Sequence, residues 1–404
     1  MITCSSFIRI FSFIAVLFSV GCGHGVYSSN VGGPESIPPA VSDQATPVSA
    51  QPLPLPPAKK PISYDVGSGY DCSYRHDVLT EDVTWSGKVL VRGGLIIASQ
   101  ATLNIRPGTI VSFVPDQDGT MEGVLLVQGR IAAVGSAEKP IIFKAAASST
   151  VPGSWRGIIV LGSEKRNVFE YCRIEGASVG IDAVFSTVSQ VNTSIVSCGT
   201  GIRLQNSLFQ AYEGRVSGCA LGYALIDSEC DIRGIACTGN NVALSLVRGS
   251  LSLKDSSFSG NAGRALEAQK AQVMISGTSF DKNKVGIVFT DTEGSIESSG
   301  IIENREYGIQ VFQSRVKIFG NRIYMNTGVG IMIDTGGSAA WGNTISLNGL
   351  HDVYNAGTED FRAIGNWWGA STTRQKRIYD VTVDPGRGQV LTQPELSAPP
   401  VRHY

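Results

Sequence analysis

Residues 258–290 read FSGNAGRALEAQKAQVMISGTSFDKNKVGIVFT, and the stretch states its own pattern twice. Phe258, Asn261 and the pair Ala265-Leu266 are answered by Phe280, Asn283 and the pair Gly286-Ile287. Followed outward, the asparagine becomes a column, Asn240, Asn261, Asn283, Asn304, Asn326 and Asn348, at intervals of 21 or 22 residues. Cys198 and Cys219 continue that column upstream. After each member comes a small residue (or Asp) and then an apolar one, from Gly201-Ile202 to Asp352-Val353. A fixed period of this length denotes a repeat architecture in which each unit packs on its neighbours, not a domain with one closed core.

A unit this short cannot hold two packed helices, which need roughly 34 residues. Its apolar positions alternate instead: Ile287 and Phe289 flank Val288, and Ile309 and Val311 flank Gln310. Period two is the strand signature. Two further short apolar runs complete each unit, such as Val273 and Ile275, then Phe280. Three strands per unit joined by tight bends predict an all-β fold, a single-stranded right-handed parallel β-helix with 21–22-residue coils. Stacking at about 4.8 Å superimposes equivalent residues, so the asparagines form an internal ladder whose amides satisfy one another and the bend backbone. The expectation is that Asn supplies the left-handed conformation of the bend, and that the Gly column supplies backbone freedom where the next strand begins. A role for these asparagines as ligands or glycan acceptors is the alternative. Cys198 and Cys219 read as small buried side chains, although a Cα separation near 4.8 Å also permits a disulfide.

The chain has 33 basic and 34 acidic residues and no basic block, which leaves nothing to favour nucleic acid as partner. The 47 glycines suit a turn-dense β chain. Residues 1–21 have the form of an export signal, with Arg9 followed by the apolar run Ile10 to Val20, too short to span a bilayer. Ser19-Val20-Gly21-Cys22 resembles the lipobox of bacterial lipoproteins, which implies that Cys22 is lipidated and that the membrane is a partner through that anchor. Ser19 departs from the usual aliphatic residue; Gly23 after the cysteine implies the outer membrane. Residues 22–62 then form a lipid anchor and Pro-rich tether, with Pro52, Pro54, Pro56 and Pro57 close together. The β-helix occupies 63–366, and 367–404 form a cap and tail. Six other cysteines, Cys72, Cys172, Cys198, Cys219, Cys230 and Cys237, show no metal-type spacing, and their pairing cannot be deduced.

The flanks carry more specific signals. Ala101 to Thr109 (ATLNIRPGT), Leu125 to Arg130, Lys139 to Phe143, and Trp155-Arg156-Gly157-Ile158 form one run, and Gly365-Asn366-Trp367-Trp368-Gly369 stands near the other end. Together they resemble the bacterial right-handed parallel β-helix repeat lipoproteins, over roughly residues 66 to 397. The resemblance implies the fold; it implies little about activity, since this superfamily mixes sugar-cleaving enzymes, carbohydrate binders and proteins without known activity. Trp367 and Trp368 would cover the last coil, or offer a platform to a sugar.

Enzymes on this scaffold usually act on polysaccharides and need converging carboxylates. The outward positions of the strand after the Gly column read Arg203, Ala224, Ser245, Glu267, Val288, Gln310, Met332, Tyr354, and then Gln205, Ile226, Val247, Gln269, Thr290, Phe312, Asp334. Neither sequence of residues sets carboxylates on neighbouring coils, and Asp291 with Glu293 reads as a solvated bend. Gly176-Ala177-Ser178-Val179-Gly180 matches a nucleophile-elbow pattern, but it lacks the strand-to-helix setting and has four scattered histidines for partners. Asp116-Gln117-Asp118-Gly119 starts like a calcium loop that no glutamate completes. No zinc or copper cluster is evident, so no metal or cofactor is expected, and analogy with β-helix proteins that assist copper-enzyme maturation is weak. Phe312, Met332 and Tyr354 remain as a possible binding face, unless the carboxy-terminal tail lies across it. The sequence therefore points to a lipid-anchored, non-catalytic envelope scaffold that contacts glycan or an envelope protein; the alternative is a polysaccharide lyase or glycoside hydrolase.

Overall fold

The structure is a computed structural model that describes residues 69–116, 119, 121–147, 151–369 and 377–400. The expected export signal, Cys22 and the tether lie outside the described residues. A late coil shows the plan: strands Tyr307–Phe312, Arg315–Phe319 and Arg322–Tyr324 follow one another with sharp bends between them. The next coil repeats it with Val329–Ile333, Ala339–Trp341 and Thr344–Ser346. Each strand pairs in parallel with its counterpart one coil on, which builds three long sheets around a shared core. The winding is right-handed, as parallel crossovers are. We call the sheets first, second and third in the order in which these three strands occur.

Alternation decides which residues go inside. Ile202, Tyr223, Leu244, Leu266, Ile287, Ile309, Ile331 and Val353 lie in one inward column of the first sheet. Every one of them has 0% exposure, and burying such a side chain stabilises by about 1.5–3 kcal/mol. A one-residue slip would turn the whole set to solvent, so the core fixes the register.

The asparagine ladder stands at the bend between third and first sheets. The Asn261 Nδ2 donates to Asn283 Oδ1 at 2.8 Å and to the Phe258-preceding coil at Cys237 O, 3.1 Å, while its backbone N–H donates to Asn283 Oδ1 at 3.0 Å. The same three bonds recur from Asn240 to Asn326. Each amide is thereby saturated, which is why a fully buried polar column costs the fold nothing in unmet hydrogen bonds. Cys219 accepts the role at the upstream end, its N–H donating to Asn240 Oδ1 at 2.9 Å. Cys198 and Cys219 are free thiols that donate to Val196 O at 3.5 Å and to Ser217 O at 3.6 Å; their mutual contact, together with burial, pushes the Cys198 thiol up, while the same contact holds that of Cys219 down against the effect of burial. Downstream, Asp352 closes the ladder by accepting from Asn348 Nδ2 at 2.8 Å and Asn348 N at 3.2 Å.

Two expectations about this bend need correcting. The left-handed residue is not the asparagine but the one before it: Gly239, Gly260, Lys282, Glu303, Met325 and Leu347 all have φ between 55° and 66°. The asparagine instead satisfies the backbone that this bend leaves exposed, and it holds even Met325 and Leu347 in a conformation that costs an L-residue roughly 1–2 kcal/mol. The Gly column is a matter of space, not of φ. A Cβ on Gly308 would lie 2.6 Å from Gly330 O and 2.9 Å from Asn326 Nδ2, and one on Gly286 would lie 2.4 Å from Gly308 O.

A second ladder escaped the sequence reading. At the bend between second and third sheets, Ser256, Thr278 and Ser299 each donate their N–H to the side chain one coil on, and the column then turns to Asn321, Asn343 and Asn366. Asn343 Nδ2 reaches Asn366 Oδ1 at 2.9 Å. Coil pairing passes residue 366, where a cap was expected to begin: Trp367 bridges Thr344, Ile378–Tyr379 pairs with His351–Asn355, and Val390–Leu391 with Phe361–Arg362. Trp368 is 3% exposed and part of the core.

Candidate ligand groove

Outward residues on the first sheet fall into the two columns read from the sequence, with Arg203 in line with Asp182 at one end and Tyr354 with Tyr379 at the other. Those positions do not form an open platform. Asp182 is buried and forms a bidentate ion pair with Arg203, raising the guanidinium pKa further. Gln310 Nε2 lies 3.7 Å from Met332 Sδ. Tyr354 stacks on Tyr379 at 4.6 Å, and His351 sits against both rings, its pKa lowered by burial. The strand Ile378–Tyr379 thus extends this face rather than crossing it. Phe312 lines a shallow cavity of about 510 Å³ with Ser245, Glu267, Gln269 and Thr290, whereas Met332 and Tyr354 are half-buried among their neighbours. Ser178 of the nucleophile-like motif lies inside strand Ala177–Val184, with no helix after it.

The larger depression, about 1130 Å³, runs along the second sheet. One outward column there reads Arg166, Thr187, Leu208, Glu229, Ser250, Gln272, Glu293, Arg315. The next reads Ser189, Gln210, Asp231, Ser252, Met274, Ser295, Lys317, Ala339. Since the strands are about 4.8 Å apart, the floor offers a hydrogen-bonding group at nearly every coil step. Arg166 Nη2 is held by Ser189 Oγ at 2.9 Å and Gln210 Oε1 at 3.1 Å. Asp231 is paired with Arg233 at 3.1 Å, and Glu293 with Arg315 at 3.5 Å. Glu229 forms no ion pair among the described residues. Met274, 61% exposed, stands on the floor. At the far end Trp341, 40% exposed, lies flat against Phe319 with ring centres 5.1 Å apart.

This groove was missed because only the strand after the Gly column was followed outward. Its signal was present: in Glu229-Cys230-Asp231-Ile232-Arg233 the charged residues alternate with buried ones, the same period-two rule applied to the second strand. Glu293, read as part of a solvated bend with Asp291, begins strand Glu293–Glu297 and faces the groove.

Residues 77–185 match the family of pectate-lyase-like β-helix domains, and residues 221–386 match that of the periplasmic copper-binding protein NosD. No curated protein matches the chain in sequence. Among solved structures, it is similar to the periplasmic alginate epimerase AlgG (11% identity, TM-score 0.43, covering 70% of this chain and 77% of that one). It is similar too to the Azotobacter vinelandii mannuronan C-5 epimerase AlgE4 A-module (13%, 0.45, 77% and 91%) and to an alginate lyase from Paenibacillus sp. str. FPU-7 (12%, 0.30, 73% and 93%). The activity of none of these transfers at such distances.

The NosD match raises the question of copper, and the donors in that segment do not fit it. Cys230 and Cys237 are core thiols whose protons burial retains, His351 is packed between tyrosines, and Met332 sits beside Gln310. Among the described residues no three His, Cys, Asp or Glu side chains gather where they could hold a metal ion. The chain is a right-handed parallel β-helix protein, pectate-lyase-like in its opening coils and NosD-like in its later ones.

Proposed function

We propose that this protein is exported, anchored to a membrane through lipidated Cys22, and binds a linear glycan along the groove of its second sheet without cleaving it. One observation carries the reading: hydrogen-bonding side chains recur coil after coil along an open trough, as a polymer of repeating hydroxylated units requires. Shallow troughs with a few convergent polar groups and an aromatic at one end are suited to sugar recognition. Binding without cleavage is favoured because Asp231 and Glu293 are each committed to an arginine, which leaves Glu229 without a second free carboxylate beside it. The family whose model matches residues 221–386 is described as periplasmic, which supports export.

A glycan array probed with the full-length protein tests this. Binding that is lost in Gln272→Ala and Ser252→Trp supports it; binding unchanged by both variants sinks it. One feature favours a second reading: Glu229 and Asp231 leave the same strand on the same face. If the bound polymer acquires new reducing or unsaturated ends, and Glu229→Gln abolishes them, the protein is a polysaccharide hydrolase or lyase instead. For the anchor, Cys22→Ser is expected to move the protein from the detergent-extracted membrane fraction to the soluble one.

A further inference from the structure

We infer that the groove takes a neutral, hydroxyl-rich polysaccharide and discriminates against polyuronates, an inference that rests on the glycan reading above. A trough that selects a polyanion needs cations free to meet a carboxylate on successive units. Here no run of free cations exists on neighbouring coils among the described residues. Arg233 is bound to Asp231, Arg315 to Glu293, and Arg166 is held by Ser189 and Gln210. Arg166 and Lys317 have no acidic partner among the described residues, but they stand at opposite ends of the groove, Arg166 on its first coil and Lys317 near Trp341, and not on successive units. In mid-groove stands Glu229, exposed and without an ion-pair partner among the described residues, and a uronate carboxylate laid over it would be repelled.

What the floor does offer matches hydroxyl groups. Ser250, Ser252 and Ser295 each donate and accept, as do the amides of Gln210 and Gln272. Met274 gives an apolar step between them, and the Phe319–Trp341 stack gives a flat surface for the C–H face of a sugar ring. Side chains that both donate and accept, with isolated apolar contacts between them, can meet hydroxyl groups and an apolar ring face, and they gain nothing from charge on the ligand.

Affinity electrophoresis of the full-length protein through gels containing hydroxyethyl cellulose, xyloglucan or mixed-linkage β-glucan, against gels containing alginate or polygalacturonate, tests the inference. Retardation by at least one neutral polymer is expected, with polyuronates weaker by roughly tenfold or more at low salt, a gap that narrows as salt is raised. Glu229→Gln, at an exposed position, should fold normally and close part of that gap by improving polyuronate binding alone. Tighter binding of polyuronate than of every neutral polymer, or a Glu229→Gln ratio identical to the parent's, overturns the inference while leaving the glycan reading intact. Retardation by none of the polymers, or retardation unaltered in Ser252→Trp, overturns the glycan reading and the inference with it.

Discussion

The early coils and the late coils solve the same packing problem by different means. In the early coils Leu95, Leu125 and Ile158 occupy successive places in one inward column, separated by 30 and 33 residues instead of 21 or 22. Their contacts are apolar, as in the stack of Phe113 on Trp155 at 4.1 Å. In the late coils Ile287, Ile309 and Ile331 follow one another at the strict repeat, with a saturated amide at each of two bends. Hydrophobic contact is non-directional and tolerates an excursion between one strand and the next. An amide ladder does not, because an unmet buried donor or acceptor costs about 1–3 kcal/mol. Strict periodicity in the chain is therefore a record of where hydrogen bonds, and not merely apolar area, hold the coils.

The largest expected effect comes from breaking the period itself. Inserting two glycines between Lys282 and Asn283 should displace the ladder above and below and cost on the order of 5 kcal/mol, whereas the same insertion after Ser136, in an early bend, should cost about 1 kcal/mol or less. Urea unfolding of the two variants side by side measures the contrast; equal losses would mean that the ladder is decorative.

Next in size, Asn283→Ala removes both bonds that Asn283 Nδ2 makes and strands the two donors of Asn261, for a loss of about 4 kcal/mol. Hydrogen exchange should show opening concentrated in the coils on either side. A smaller effect separates space from φ. Gly308→Ala should cost about 2 kcal/mol through its contact with Gly330 O and Asn326. Gly260→Ala, at φ +62° with nothing within 4 Å, should cost about 1 kcal/mol. The reverse order in thermal midpoints would restore the conformational explanation of the Gly column.

The smallest effect concerns the ladder's end. Burial raises the pKa of the Asp352 carboxyl above its ordinary value, and its Oδ2 has no hydrogen-bond partner among the described residues. A carboxylate whose folded pKa exceeds the unfolded one, about 3.9, favours the fold when protonated; that contribution is full at low pH and is lost as pH rises through the interval between the two values. Asp352→Asn should thus stabilise by about 1 kcal/mol at pH 7, with the gain vanishing below about pH 4. A gain that grows on acidification would contradict the assignment.

How much of this was readable without coordinates follows the same physics. The column Asn240 to Asn348 and the inward residues behind it were legible because each coil repeats one residue type at one place. The second ladder was not, since serine and threonine precede Asn321 in it and no single letter recurs. The role of Gly308 was misread because a sequence shows that a side chain is absent, not which neighbouring atom requires the absence. The groove was half-legible: its alternation was there at Glu229 to Arg233, but which of three outward faces remains open depends on what lies over each.

Sequence alone determined the winding, its period and its inward columns, because stacking one strand on the next converts a repeat in the chain into a line in space. Only the tertiary structure decided that Tyr379 extends the first face while the second stays open, and that Arg233 and Arg315 are already matched to Asp231 and Glu293. Openness and charge balance are sums over residues from different coils and different faces, and no local pattern in the chain contains them.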